Sequence, residues 1–428
     1  MNAEFEKHFQ EKGFSQPTAI QTVVAQPLAN GESLIGIAPT GSGKTLAFTW
    51  PLLDQVKAGR AGQLLILEPS QELAMQTTRV VREWAALVGL HVQSLTGGAN
   101  VRRQIERLRD HDEVLVGTPG RIYDLYNRHH LSLGNIRSMV IDEADDLLND
   151  HSRVVVTNII KAAPHGCQLS FFSATQGQIF TQFPSLFDRQ LTTYDVRQTD
   201  DSRGPVDHYT VLARTNAQKT AVLKKLSTQA GFAALVFFNS QRNLNYVYSR
   251  LTHQHVTVVT LGGRQRQVQR QTAMRRFKKH QVRLLLTTDV AARGLDIAKL
   301  PAVINFDLPT SVNQYIHRVG RTGRQGQPGT VYNLGDDHDF RDLRKLLGQT
   351  SYQLQKLVIV DERHHQPNSA GGQASRPVMD NEPRRNPRHQ VKIVTGKKRK
   401  KHKKNRHHKN KGIRFKRRQQ AAKDKQHS

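Results

Sequence analysis

The 428-residue sequence contains one cysteine, Cys167. One thiol excludes an intrachain disulfide and any zinc site built from cysteines. Beside a strand-like run, it reads as an inert buried thiol. Acids are scarce, with 35 Asp+Glu against 64 Lys+Arg and a net charge of +29. That deficit excludes an acidic solvating protein and favours a polyanionic partner, either nucleic acid or an anionic membrane surface. No apolar run approaches the ~20 residues of a membrane span. The first residues, MNAEFEKHFQEKGF, lack the apolar core of a signal peptide. A soluble protein of a reducing, cytoplasmic compartment is expected. Hydrophobic residues make up 37%, which fits a packed body carrying a polar segment.

The positive charge is unevenly spread. From Arg384 to Ser428 there are 20 Lys+Arg and one acid, Asp424, a net of +19. The preceding 383 residues hold 44 Lys+Arg against 34 acids, a net of +10. The tail has almost no apolar periodicity and its charges repel one another, so it is expected to be disordered when alone. Before it, Gln366 to Pro387 is rich in Pro, Asn, Ser, Gly and Gln and reads as a linker. Clustered histidines such as His407 and His408 sit in this tail. They suggest either metal binding or a solvated charge run, and the second reading fits the surrounding cations better. Trp50 and Trp84 fall in helical apolar stretches and read as packing residues.

Short apolar, β-rich runs alternate with helix-like stretches. The first half has Leu34–Ala38, Leu64–Leu67, Val114–Val116, Ser138–Ile141 and Leu169–Phe172. The second has Ala234–Phe238, Thr257–Thr260, Arg283–Thr287, Ala302–Asn305 and Thr330–Leu334. This alternation predicts an α/β protein with two doubly wound parallel sheets, whose ligands bind at the carboxyl ends of strands. The polar stretch 198–205, ending in Gly204-Pro205, is the best linker between them. The expected bodies are therefore residues 1–197 and 206–360, followed by a tail over 361–428.

After Leu34–Ile37 comes Ala38-Pro39-Thr40-Gly41-Ser42-Gly43-Lys44-Thr45, then the helical Leu46-Ala47-Phe48. A phosphate loop needs small residues so that backbone N–H groups close around oxygens. It also needs a Lys for the β/γ charge and a hydroxyl for Mg²⁺. The helix start adds a favourable dipole. Gly41, Gly43, Lys44 and Thr45 fill those places, although Ala38 replaces the first glycine of the strict pattern. Further on, Val140-Ile141 runs into Asp142-Glu143-Ala144-Asp145. Asp142 at a strand end suits a Mg²⁺-holding carboxylate, and Glu143 suits a base that positions water. Three acids in four residues are otherwise common in surface turns, but the phosphate loop upstream favours the functional reading.

These residues resemble the DEAD-box RNA helicases of superfamily 2, and the resemblance runs from about Phe5 to Val360. Asp142–Asp145 spells the family's own string. Gly13 to Gln21, including Phe14, looks like its adenine-reading Q motif; an amide both donates and accepts, as an adenine edge requires. Phe5 stands where an upstream stacking aromatic is expected, and equally reads as a core residue. Pro69-Ser70-Gln71-Glu72-Leu73-Ala74, Gly97-Gly98 and Thr118-Pro119-Gly120-Arg121 resemble the family's RNA-backbone contacts. Ser173-Ala174-Thr175 matches the segment that couples hydrolysis to strand separation. In the second half, Phe237 to Ser240 with Asn239, Gln267 to Arg270, and Thr287 to Asp296 with Thr288, Asp289, Arg293, Gly294 and Asp296 match in order. So does His317 to Arg324, whose last two arginines, Arg321 and Arg324, the family uses on the γ-phosphate.

The resemblance implies two tandem RecA-like domains of a compact bacterial type. It implies ATP held at Phe5, Phe14, Gln21, Ala38, Thr40, Gly41, Ser42, Gly43, Lys44, Thr45, Asp142, Gly294 and Asp296, with Mg²⁺ at Thr45 and Asp142. Lys44, Glu143, Arg321 and Arg324 would be catalytic, and Asp145, Ser173, Thr175 and His317 would couple the halves. RNA would be gripped without sequence preference through Pro69, Ser70, Gly97, Gly98, Thr118, Pro119, Gly120, Arg121, Asn239, Gln267, Arg270, Thr288, Asp289 and Arg293. A cytoplasmic monomer acting in ribosome assembly, cold adaptation or mRNA turnover is expected. Two other readings are a DNA-directed motor of the same superfamily and a non-catalytic RNA-binding or annealing protein working through its tail. Gln71 for the usual Arg removes one charge-assisted phosphate contact, and Gly262 stands where a His is usual.

Overall fold

The computed structural model describes residues 2–148, 152–202, 204–262, 265, 267–292, 297, 300–324 and 326–359. The tail that follows, with its expected disorder, lies outside the described residues.

Two seven-stranded sheets, every pairing of which is parallel, carry the fold. The first comprises β1 (Leu34–Ile37), β2 (Leu64–Leu67), β3 (Val92–Leu95), β4 (Val114–Gly117), β5 (Ser138–Ile141), β6 (Gln168–Ser173) and β7 (Thr192–Asp195), in the order 3-4-2-5-6-1-7. The second comprises β8 (Val206–Leu212), β9 (Ala234–Phe238), β10 (Val258–Leu261), β11 (Leu284–Thr288), β12 (Ala302–Asn305), β13 (Gly329–Gly335) and β14 (Leu354–Leu357), in the order 10-11-9-12-13-8-14. Counted from its own first strand, the second sheet repeats the order of the first.

Continuous apolar runs become strands here because both faces of each sheet are covered. Leu64 and Ile66 of β2 enter one core while Leu65 and Leu67 enter the other. In the second sheet Ala234, Val236 and Phe238 face one core and Leu235 and Phe237 the opposite one. Trp50 and Trp84 pack edge-on at 5.2 Å between ring centroids, and Cys167 is buried with its thiol pushed up to about 12 by burial.

Strands β3, β7, β8 and β14 are additions to the ten runs read from the sequence. Three of them are sheet edges and β8 is next to one. An edge strand needs only one apolar face or less, so its sequence does not carry a hydrophobic run. Thr192, Thr193 and Asp195 of β7 are exposed, as are Gln355 and Lys356 of β14. Between the sheets, Gly204 lies so close to Gln327 that a Cβ would meet its carbonyl oxygen at 2.1 Å. Only glycine permits that approach.

A candidate nucleotide and nucleic-acid site

The loop after β1 is shaped by two glycines in the left-handed region, Gly41 at φ 90° and Gly43 at φ 85°. Gly43 also opens the helix Lys44–Leu53, and a Cβ on it would meet the Gln21 amide at 2.4 Å. Conformation and space both demand glycine there. The loop is braced from the first helical turn after Thr18. Thr18 Oγ1 donates to the Ser42 carbonyl at 2.7 Å and Gln21 Nε2 to the Gly43 carbonyl at 3.2 Å. Gln21 Oε1 accepts from the Thr18 N–H at 2.9 Å, so both ends of this buried amide are engaged by the chain itself. Lys44 Nζ, also buried, donates to the carbonyls of Ala38 at 3.1 Å and Pro39 at 3.4 Å.

The hydroxyls of Thr40 and Ser42 are buried with no hydrogen-bond partner. Unpaired buried donors beside an ammonium, in a glycine loop at a helix start, fit the oxygens of a polyphosphate. On the floor, Asp142 follows β5 and accepts from the Glu143 N–H at 2.9 Å. Burial first, then the charge of Glu143, raises the Asp142 carboxyl to about 7 against the pull of Lys44. Glu143 sits at φ 47°, a strained turn that holds its side chain apart from the helical residues after it. A third acid, Glu68 at the end of β2, is fully buried and accepts from Thr77 Oγ1 at 2.5 Å. Burial and the charge of Asp142 raise it well above the ordinary range. One lysine among three acids, of which Glu68 and Asp142 are buried, is an excess of negative charge that fits a hard divalent cation.

Phe5 is buried against Trp84, with ring centroids 5.8 Å apart. The structure thus gives it the core position and not an exposed stacking face, while Phe14 is 41% exposed.

Beside the nucleotide loop, residues from distant parts of the chain converge on Asp145. Its Oδ2 accepts from Thr175 Oγ1 at 2.5 Å and lies 3.0 Å from His317 Nε2. Ser173 Oγ accepts from the Thr175 N–H at 3.1 Å, which fixes the turn after β6. Burial pushes the Asp145 carboxyl up, but the hydrogen bond and charge of His317 and the Thr175 hydroxyl outweigh it and hold it at about 2. His317 is raised, Asp145 outweighing its burial. All four expected coupling residues are therefore brought together. Gly320 packs on Thr40 so tightly that a Cβ would meet its hydroxyl at 2.1 Å. The stem of Arg324 lies 3.3 Å from where a Cβ of Gly41 would stand. Arg321 is almost wholly buried and lines a cavity of about 340 Å³ with Glu143, Asp145 and His317.

The residues expected on RNA divide into two sets. Ser70 caps the helix Gln71–Ala86, and Thr118 precedes the helix Pro119–Asn127, so each stands at a helix start. The Gln71 amide covers Gly97 and Gly98; a Cβ on either would meet it at 3.0 Å. Arg121 Nη1 donates to Gln104 at 2.8 Å. In the second half Arg270 pairs with Glu72 at 2.8 Å. Gly262 lies against the amide end of Gln241, which a Cβ would meet at 2.9 Å, so a larger residue there requires that side chain to move aside. Asn239, which is exposed, and Asp289, which is partly buried, also bond to Arg318. This arginine is 1% exposed. It donates to both carboxylate oxygens of Asp289 at 2.6 and 2.7 Å, to Asn239 Oδ1 at 2.6 Å, and to Asn305 Oδ1 and the Asp307 carbonyl at 3.0 and 2.7 Å. Within the arginine-rich string 317–324, sequence reasoning gives Arg318 no role of its own. It misses Glu68 altogether, although an acid directly after the apolar run Leu64–Leu67 is a usable signal. Arg293, Gly294 and Asp296 lie outside the described residues, as does the Gln267 side chain.

The family model for DEAD/DEAH box helicases matches residues 18–182, and the helicase conserved C-terminal domain matches residues 218–326. A probable ATP-dependent RNA helicase of Bacillus subtilis, YfmL, is 35% identical over 354 residues, which is 82% of this chain and 94% of that one. The chain belongs to the DEAD-box ATP-dependent RNA helicase family. A second relative in that family, CshC of Bacillus cereus, is 33% identical over 78% of this chain and 86% of its own. Among solved structures, S. cerevisiae Dbp5 bound to RNA and ADP BeF3 superposes with a TM-score of 0.75 at 27% identity. The match covers 84% of this chain and 94% of that one. The two sheets are thus the tandem RecA-like domains of the family.

Proposed function

We propose that this chain hydrolyses ATP in an RNA-stimulated manner and uses closure of its two halves to separate short RNA duplexes or remodel RNA–protein complexes. The observation that carries this reading is the shared contact at Asp145. It ties the acid turn after β5 and the Thr175 turn after β6 to His317 on the helix Val312–Val319 of the other half. A change at the nucleotide is then felt by both halves at one carboxylate. We assign 1–197 and 206–360 to the two domains, 198–205 to their linker and 361–428 to the tail.

In this reading Lys44 and the loop amides bind the phosphates, and Glu143 orients water and takes its proton. Mg²⁺ at Thr45 and Asp142 would supply charge to the β- and γ-oxygens. Arg321 and Arg324 meet the charge that spreads over the transferring group. Arg321→Ala is expected to lower kcat by about 10²–10³ and to change ATP affinity far less; steady-state kinetics beside nucleotide-binding titrations check this. A variant altered only in affinity refutes the assignment.

RNA is the partner supported by the relatives' names and by the RNA in the Dbp5 structure. We assign it to cytoplasmic work as a monomer on ribosomal or mRNA-decay particles, the field of compact bacterial relatives. Among the described residues no helix is long and apolar enough to cross a membrane. The basic tail is proposed to add sequence-blind affinity. Deleting Asn381–Ser428 should weaken RNA binding at low salt and flatten its salt dependence. The log–log slope should fall by ~0.7 for each phosphate that the tail neutralises. An unchanged slope sinks the role given to the tail.

A further inference from the structure

The interdomain cavity has a mixed nitrogen and oxygen floor. One oxygen each from Glu143 and Asp145 and one ring nitrogen of His317 lie within 4.8 Å of one another. The Asp145 side chain is only 2% exposed; its Oδ2 already meets Thr175 and His317, while its Oδ1 has no hydrogen-bond partner. Glu143 Oε2 is likewise buried and unpaired. Two carboxylate oxygens left unpaired out of water are costly unless something arrives to meet them. The supports for a ligand set are also present. Asp145 is held by the Thr175 hydroxyl, and the 340 Å³ cavity above provides entry and room for a water.

The donor types decide which ion. One imidazole and two carboxylates, with a fourth place open to water, suit Zn²⁺ and its neighbours. Mg²⁺ prefers oxygen throughout. Ligands on a tetrahedral ion stand about 3.3 Å apart. His317 Nε2 and Asp145 Oδ2 are already at 3.0 Å, so Glu143 supplies most of the inward movement.

We propose that Glu143, Asp145 and His317 form a site for a zinc-like divalent cation, separate from the magnesium position at Thr45 and Asp142, and that filling it locks the enzyme. Two ligands come from one half and the third from the other, 172 residues further along the chain from Asp145. An ion held by all three stabilises the closed arrangement by its binding free energy. It takes the place of the proton on His317 Nε2, which leaves to solvent, and it occupies the carboxylate that would receive a proton from water. Closure then persists and turnover stops.

The test uses the full chain in millimolar Mg²⁺, without ATP or RNA. Zn²⁺ binding is measured by competition with a chromogenic chelator, and thermal unfolding is followed with and without Zn²⁺. Wild type is compared with His317→Gln and Glu143→Gln. The histidines of the tail are common to all three proteins and cancel in the comparison. The expected result is that each variant loses one zinc equivalent or binds it at least about tenfold more weakly. Zn²⁺ should also raise the melting temperature of wild type more than that of either variant. Equal binding and equal shifts in the three proteins overturn the site, and displacement by millimolar Mg²⁺ overturns its selectivity. Because the readout needs no turnover, it stands or fails independently of the helicase reading.

Discussion

Glu143→Gln is expected to reduce RNA-stimulated ATP turnover by about 10²–10⁴ while leaving ATP binding and the melting temperature close to wild type. The amide matches the carboxylate in size and keeps an acceptor, but it cannot take a proton from water. Little structural loss should accompany the change, because Glu143 Oε2 has no hydrogen-bond partner to lose. The φ of 47° belongs to the backbone and survives the substitution. Single-turnover hydrolysis beside a nucleotide-affinity titration separates the two effects. Near-normal turnover would refute the role of Glu143 as base. Lys44→Ala should differ in kind, since it removes the ammonium from the phosphate cradle and so affects binding as well.

Arg318→Ala is expected to cost about 3–5 kcal/mol and to lower the melting temperature of the second domain by on the order of 10 °C. The guanidinium is 1% exposed and its removal takes a hydrogen-bond donor from Asp289, Asn239 and Asn305 at once. Asn305 is wholly buried and would keep an unmet oxygen inside the protein, while the partly buried Asp289 would lose its only cation partner in this network. Arg318→Lys should recover little, because an ammonium cannot reach two carboxylate oxygens and three other acceptors at once. Phe237 beneath the guanidinium, 5.0 Å from its centre, favours the flat cation for the same reason. Denaturant unfolding of the three proteins checks this, and a Lys variant as stable as wild type would show that the planar fork is not needed.

Much of this molecule is legible from its residues, and the reason differs from place to place. Strands such as β2 and β9 announce themselves because both their faces are buried, so no polar residue interrupts them. The glycines of the phosphate loop are readable because a left-handed backbone and a close neighbour leave little else possible. By contrast, β7 and β14 are largely exposed and carry polar sequences, so nothing in them marks a strand. Phe5 is undecided from sequence because an aromatic on a short helix serves packing and stacking equally well. Only its neighbour Trp84, far along the chain, settles the matter. Arg318 sits in plain view within a recognised string. Its work is hidden because its partners come from the ends of three separate strands, β9, β11 and β12, and the loop after β12. The hold of Asn239 and Asp289 on Arg318 is hidden for the same reason: spacing along a chain does not say which groups meet across strand ends.

The strand order has a bearing on how this protein is made. β1 pairs only with β6 and β7. On a ribosome adding ~5–20 residues per second, Leu34–Ile37 waits on the order of ten seconds for both neighbours to be synthesised. Until then its two edges are open and its apolar side chains lack part of their cover. The strand that aims Lys44 is therefore among the last of its sheet to be enclosed. The second sheet repeats the delay, since Val206–Leu212 waits for Gly329–Gly335 and Leu354–Leu357. A nascent chain arrested before Gln168 would hold the whole phosphate-loop sequence and have no finished sheet on which to mount it.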